Sequence, residues 1–201
     1  MASDNVENEV KLYVPDLAAV ARRVEAAGGT LKAPRVYERN VRYDDAARSF
    51  NASGTVLRLR QDTRARLTYK DGERLSGEYG SSRFEAEVEV SDFANMETIL
   101  GKLGYHPVMV YEKYRTTYAL HDAEVTLDEM PYGNFVEIEG DEAAIRRCVE
   151  ALRLHDARRM AASYTVLFKF VKRNLGLDFA DLTFENFKGI AVPESAFAET
   201  Q

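Results

Sequence analysis

Apolar and polar residues alternate with a two-residue period along most of this chain, the pattern of strands that bury one face. In residues 7–14, Glu7, Glu9, Lys11 and Tyr13 share one side. Val10, Leu12 and Val14 share the other with the preceding Val6, and Asn8 is the exception. The alternation returns in residues 35–45, 55–62, 64–72, 83–90, 108–120, 123–130 and 133–140. These runs predict about eight strands. Most connections are short, among them polar turns at Asp62-Thr63 and Pro131-Tyr132-Gly133.

A helical period takes over in four places. After Asp16, a capping residue, Leu17, Val20, Ala21 and Val24 form one stripe, and Gly28-Gly29 ends it. Residues 91–105 read as a helix capped near Ser91-Asp92 and closed by Gly104. Residues 141–154 and 157–177 read as two more. Residues 46–55 form a turn-rich break, and 72–82 a loop. With no convincing linker, the pattern predicts an α+β domain over residues 1–175 and a C-terminal extension over 176–201.

Composition narrows the class. The chain has 201 residues, of which 45% are hydrophobic, so a packed core is expected rather than disorder. A formal net charge of −6 argues against a nucleic-acid partner, which wants a basic surface. No apolar run approaches the ~20 residues of a bilayer span, so no membrane partner is expected. The polar, acidic start predicts no secretory leader and a cytoplasmic location. Cys148, the single cysteine, reads as a buried helix thiol, and His106, His121 and His155 do not cluster.

The charges change the picture more. They sort by strand: Arg58 with Arg60, Lys70 beside Thr68, Lys113 with Arg115, Glu85 with Glu87 and Glu89, Asp128 beside Thr126, and Glu137 with Glu139. Like charges crowded on one face repel unless opposite charges lie among them. Acidic and basic strands could interleave on a wet surface. Seven strands with the same pattern favour the other solution, a closed barrel whose charged faces point inward while helices cover the apolar outside. Such an interior needs a charged ligand. Guanidinium and ammonium groups match phosphate oxygens, and carboxylates suit Mg²⁺ or Mn²⁺. No P-loop motif is present to hold phosphate instead.

The ordered set "ENEVK", "LRLR", "TYK", "RFEAEVEV", "YEKYR" and "LDEMPYGNFVEIEG" resembles the CYTH superfamily, the triphosphate tunnel metalloenzymes, over residues 6–167. The resemblance implies an eight-stranded antiparallel β tunnel with helices packed outside. It implies that Lys11, Arg39, Arg58, Arg60, Lys70, Lys113 and Arg115 bind a small-molecule triphosphate. It implies that Glu7, Glu9, Glu85, Glu87, Asp128, Glu137 and Glu139 hold Mg²⁺ or Mn²⁺, with Glu7, Glu9, Lys11 and Asp128 catalytic. A homodimer is compatible with it. The expected activity is a metal-dependent triphosphatase acting on inorganic tripolyphosphate or on a nucleoside or thiamine triphosphate. A class IV adenylate cyclase, which would make cyclic AMP and pyrophosphate from ATP, shares the same motifs. A non-catalytic polyphosphate-binding module would need the bases but not seven carboxylates.

Overall fold

The alternating runs do form strands. The structure is a computed structural model and describes residues 6–71, 75–77 and 80–199, with side chains over 8–71 and 84–199. One antiparallel sheet contains β1 (Val6–Tyr13), β2 (Thr30–Asp44), β3 (Val56–Gln61), β4 (Ala65–Lys70) and β5 (Leu75–Gly77). Its other strands are β6 (Gly80–Val90), β7 (His106–Leu120), β8 (Ala123–Met130), β9 (Gly133–Glu139) and β10 (Arg158–Arg159). Their order is β10-β1-β9-β8-β7-β2-β3-β4-β6-β5. β1 also pairs with β6, from Val6 opposite Phe84 to Glu9 opposite Ser81.

The sheet therefore has ten strands where eight were expected. The extra two are short. β5 lies in the expected loop of residues 72–82. β10 lies where a helix was expected, because β1 still has backbone groups to satisfy beyond its pairing with β6. Leu12 and Tyr13 pair with Arg159 and Arg158, and the Met160 N–H donates to the Lys11 carbonyl at 2.9 Å. The last long helix consequently starts only at Tyr164.

The apolar outer face of the sheet is covered in three patches. Helices α1 (Leu17–Ala26) and α4 (Glu142–Ala151) set Val20, Val24, Ile145 and Cys148 against Leu12, Val125, Val136 and Ile138. Asp16 caps α1 by accepting the Ala19 N–H at 2.9 Å, and Gly28 stops it at φ +83°, a conformation that favours glycine. In the turn-rich break, Asp44 accepts the Phe50 and Asn51 N–H groups of the short α2 (Ser49–Ser53). Helix α3 (Phe93–Lys102) packs Leu100 onto Val41, Leu57 and Leu59.

The third patch is aromatic. Helix α5 (Tyr164–Leu175) and the segment after it bring Phe168, Phe187 and Phe197 to Tyr132 and Phe135. Leu182 is held against β7, its N–H donating to the Val110 carbonyl at 2.9 Å. No helix among the described residues is long and apolar enough to cross a membrane.

Candidate functional site

With the apolar side of each strand turned to the helices, the alternate positions converge on a charged interior. A cavity of about 280 Å³ is lined by Glu9, Lys11, Arg42, Arg58, Arg60, Arg66, Lys70, Glu85, Glu87, Lys113, Arg115, Glu124, Glu137 and Glu139. Tyr111, Ser163, Tyr164 and Thr165 also reach it. Arg60, Arg66, Arg115 and Glu124 line a second cavity of about 280 Å³ as well. Six residues expected to bind phosphate are thus on one wall system: Lys11, Arg58, Arg60, Lys70, Lys113 and Arg115. So are five of the expected metal carboxylates: Glu9, Glu85, Glu87, Glu137 and Glu139. The Glu7 side chain lies outside the described residues.

The bases on β3 and β4 are braced by neighbouring strands. Arg58 donates to Tyr111 at 3.2 Å and to Thr68 at 3.0 Å, with Glu87 at 3.6 Å. Arg60 donates to Asn40 at 3.0 Å and faces Glu38 at 3.6 Å. Lys70 pairs with Glu85, its cross-strand partner. Glu87 accepts from Thr68 at 2.7 Å. Glu85 and Glu87 therefore serve in this arrangement as counter-charges to the bases around them.

Beneath the wall lies a buried ionic layer. Asp128 is fully buried and accepts from Lys113 at 3.0 Å, Arg115 at 2.6 and 2.5 Å, and the Tyr164 hydroxyl at 2.8 Å. Its oxygens are taken, and it stands behind the lining rather than in it. Asp128 aims Lys113 and Arg115; it is not a wall carboxylate as expected. Glu38 faces Lys113 and Arg60, each at 3.6 Å. Burial alone would raise its pKa, but the charges of Lys113 and Arg60 outweigh burial and hold it well below the usual carboxylate range. Glu137 is held low in the same way, against burial, by Lys11 at 3.2 Å and by Arg115.

Arg39 is the second correction. On β2 it shares a side with Val41 and Tyr43, which are buried under α3, and its guanidinium lies 5.9 Å from the Phe93 ring. Glu38, Asn40 and Arg42 take the inward positions instead. The period of two fixes this choice, since a strand cannot turn both kinds of position inward.

The acidic wall has its own order. Glu9 lies directly opposite Glu139 in the β1–β9 register, and Glu139 directly opposite Glu124 in the β8–β9 register. Three carboxylates on adjacent strands are unfavourable unless cations lie among them. Their hard oxygen donors suit Mg²⁺ or Mn²⁺. Among the described residues, no three acidic, histidine or cysteine side chains already converge as a ready-made metal cage.

Some lining residues escaped the sequence reading although a signal existed. Arg66, Tyr111 and Glu124 each stand two positions before an inward residue, namely Thr68, Lys113 and Thr126. Tyr164 carried no local signal, because it meets Asp128 from a separate helix.

Comparison with known proteins agrees with this geometry. The chain matches the CYTH domain over residues 5–165. It is 27% identical over 136 residues to a Methanocaldococcus jannaschii protein provisionally named an adenylate cyclase, covering 67% of this chain and 76% of that one. A Vibrio parahaemolyticus structure, also provisionally named an adenylate cyclase, superposes with TM-score 0.71 at 19% identity, over 83% of this chain and 99% of that one. A Hippeastrum protein provisionally named an adenylyl cyclase, and described as having a dominant triphosphatase activity, superposes with TM-score 0.60 at 20% identity, over 81% and 95%. The domain match covers most of the chain, and the charged strands within it line one cavity: this protein belongs to the CYTH family.

Proposed function

We propose that this CYTH protein is a divalent-metal-dependent triphosphatase whose substrate lies in the charged interior of the sheet. In this reading the eight strands from β1 through β9, β8, β7, β2, β3 and β4 to β6 are the tunnel wall, and the β1–β6 pairing joins its ends. The two cavities that share Arg60, Arg66, Arg115 and Glu124 are its two halves. One observation carries the reading: eight basic side chains and an acidic row on β1, β9 and β8 line one cavity. A basic pocket alone would bind an anion. An acidic row facing the same space suits a ligand that arrives with a divalent cation.

Lys11, Arg58, Arg60, Lys70, Lys113 and Arg115 hold the phosphoryl oxygens and neutralise the charge that grows as the phosphoanhydride breaks. Glu9 and Glu139, with Glu124, would hold Mg²⁺ or Mn²⁺, with Glu7 as a further donor from the sequence reading. The bound metal supplies Lewis acidity and a more acidic water. Asp128 fixes the directions of Lys113 and Arg115 from behind the lining, and Glu38, itself on the lining of the second cavity, faces Arg60 and Lys113.

The alternative is a class IV adenylate cyclase, favoured by the provisional names of the archaeal and Vibrio proteins. The same wall would hold ATP while the ribose 3′-hydroxyl attacked. The description of the Hippeastrum protein supports hydrolysis. The deciding experiment incubates the protein with ATP, tripolyphosphate or thiamine triphosphate, each with Mg²⁺ or Mn²⁺. Orthophosphate is the expected product. Cyclic AMP with pyrophosphate would replace hydrolysis by cyclisation. Tight triphosphate binding without turnover would leave a binding module.

A further inference from the structure

Seven of the eight basic side chains on the cavity wall have a carboxylate within 4.0 Å. Among the described residues, Arg42 has none. Its hydrogen bonds go to neutral groups, the Thr165 hydroxyl at 2.9 Å and the Thr55 carbonyl at 3.4 Å. Asp44, two residues along, already accepts the backbone N–H groups of Asp45, Phe50 and Asn51.

The register sharpens the anomaly. Arg42 stands directly opposite Arg58 in the β2–β3 pair. Like charges at opposed positions destabilise a sheet. Arg58 is compensated by Glu85 and Glu87 on the far side, towards β4 and β6. Arg42 is left half-buried, facing a second guanidinium. Burial lowers its pKa; Tyr111 and Asp44 act the other way, the charge of Arg58 adds to burial, and the net direction is down. A pair of this kind costs the free protein stability and is relieved by an anion between the two forks.

The geometry points to Arg42 and Arg58 as a paired anion subsite that takes one phosphoryl group of a condensed phosphate. The subsite rests on the triphosphate reading of the cavity and adds a specific contact to it. Along the sheet β2 stands four strands from β1 and three from β9, and β3 stands five and four, while β1 and β9 carry Glu9 and Glu139. The subsite is therefore on the wall across from the acidic row. Two planar guanidinium groups can share the non-bridging oxygens of one phosphoryl group, each with a pair of parallel N–H donors. Thr165 holds one edge of Arg42 so that the rest of the fork faces the cavity.

The test measures tripolyphosphate binding by calorimetry, without divalent metal so that the ligand is not turned over, for wild type, Arg42→Gln, Arg42→Lys and Arg58→Ala, alongside the melting temperature of each free protein. Arg42→Gln is expected to bind at least about tenfold more weakly. Its free melting temperature is expected to be unchanged or higher, because a like-charge pair has been removed. Arg42→Lys keeps the charge but loses the fork, and is expected to fall between wild type and Arg42→Gln; it carries the test if Arg42→Gln fails to fold. Wild-type affinity in the Arg42 variants, with weakened binding in Arg58→Ala, would overturn the subsite and leave the triphosphatase reading intact. A lowered melting temperature with unchanged affinity would make Arg42 structural and also overturn it. Failure of the wild type to bind tripolyphosphate would overturn both readings.

Discussion

The Tyr164 hydroxyl donates to Asp128 at 2.8 Å, on the same oxygen that accepts the Lys113 ammonium at 3.0 Å. A helix outside the sheet is thereby tied to the carboxylate that orients two of the cavity's bases. Asp128→Asn would keep the volume but leave Lys113 and Arg115 short of a negative charge in a buried layer. Losing one partner of such a layer costs about 3–5 kcal/mol. Urea unfolding should show a loss of that order, together with reduced triphosphate binding. A loss below about 1 kcal/mol would mean that the cations are held by other groups, as in an exposed pair.

Glu9→Gln and Glu139→Gln test the acidic row. Each removes one of two carboxylates opposed in the β1–β9 register. Metal-dependent turnover should fall by a factor of 100 or more, on the order of the loss expected when a group stabilising the transition state is removed. Steady-state assays across a Mg²⁺ titration check this. Full activity in both variants would remove the row from the reaction.

Much of this site is legible because a strand's alternation is local. Lys11, Arg58, Arg60, Glu137 and Glu139 declare their side through their immediate neighbours. The same rule, applied strictly from Val41 and Tyr43, would have placed Glu38, Asn40 and Arg42 inside and Arg39 outside. The contact between Tyr164 and Asp128 was not legible, because 36 positions separate them and nothing local couples a helix start to a strand interior. β10 was hidden for a similar reason: Arg158 and Arg159 become a strand only because a length of β1 edge lies beside them.

Acid should destabilise the protein in a defined window. Glu38 and Glu137 are both held below the ordinary glutamate value of 4.5 by the bases around them. Below about pH 4.5 the unfolded chain binds protons that the folded chain does not. Stability from these groups is thus fully present above that pH and is lost as pH falls towards their folded values, by up to about 1.4 kcal/mol per pH unit for each group. Urea midpoints for wild type and Glu38→Gln between pH 6 and about pH 3 check the sign. Glu38→Gln should be less stable at pH 6 and show the shallower slope. Equal slopes would mean that Glu38 is not the ionised partner of Lys113 and Arg60.

The C-terminal segment reaches the site through packing. Phe197 is 2% exposed, and its ring lies 5.3 Å from Tyr13, 5.4 Å from Tyr132 and 5.9 Å from Phe135. Tyr132 in turn donates its hydroxyl to the Tyr164 carbonyl at 2.8 Å. Removing a buried ring of this size costs about 3–5 kcal/mol. Phe197→Ala should lower the melting temperature and, by loosening the start of α5, weaken the hold of Tyr164 on Asp128. Thermal melts and triphosphate binding, measured on the same samples below the transition, separate the two effects. A stability loss with wild-type affinity would confine Phe197 to the core. Loss of both would make the packing of the segment after α5 a determinant of how Lys113 and Arg115 face the substrate.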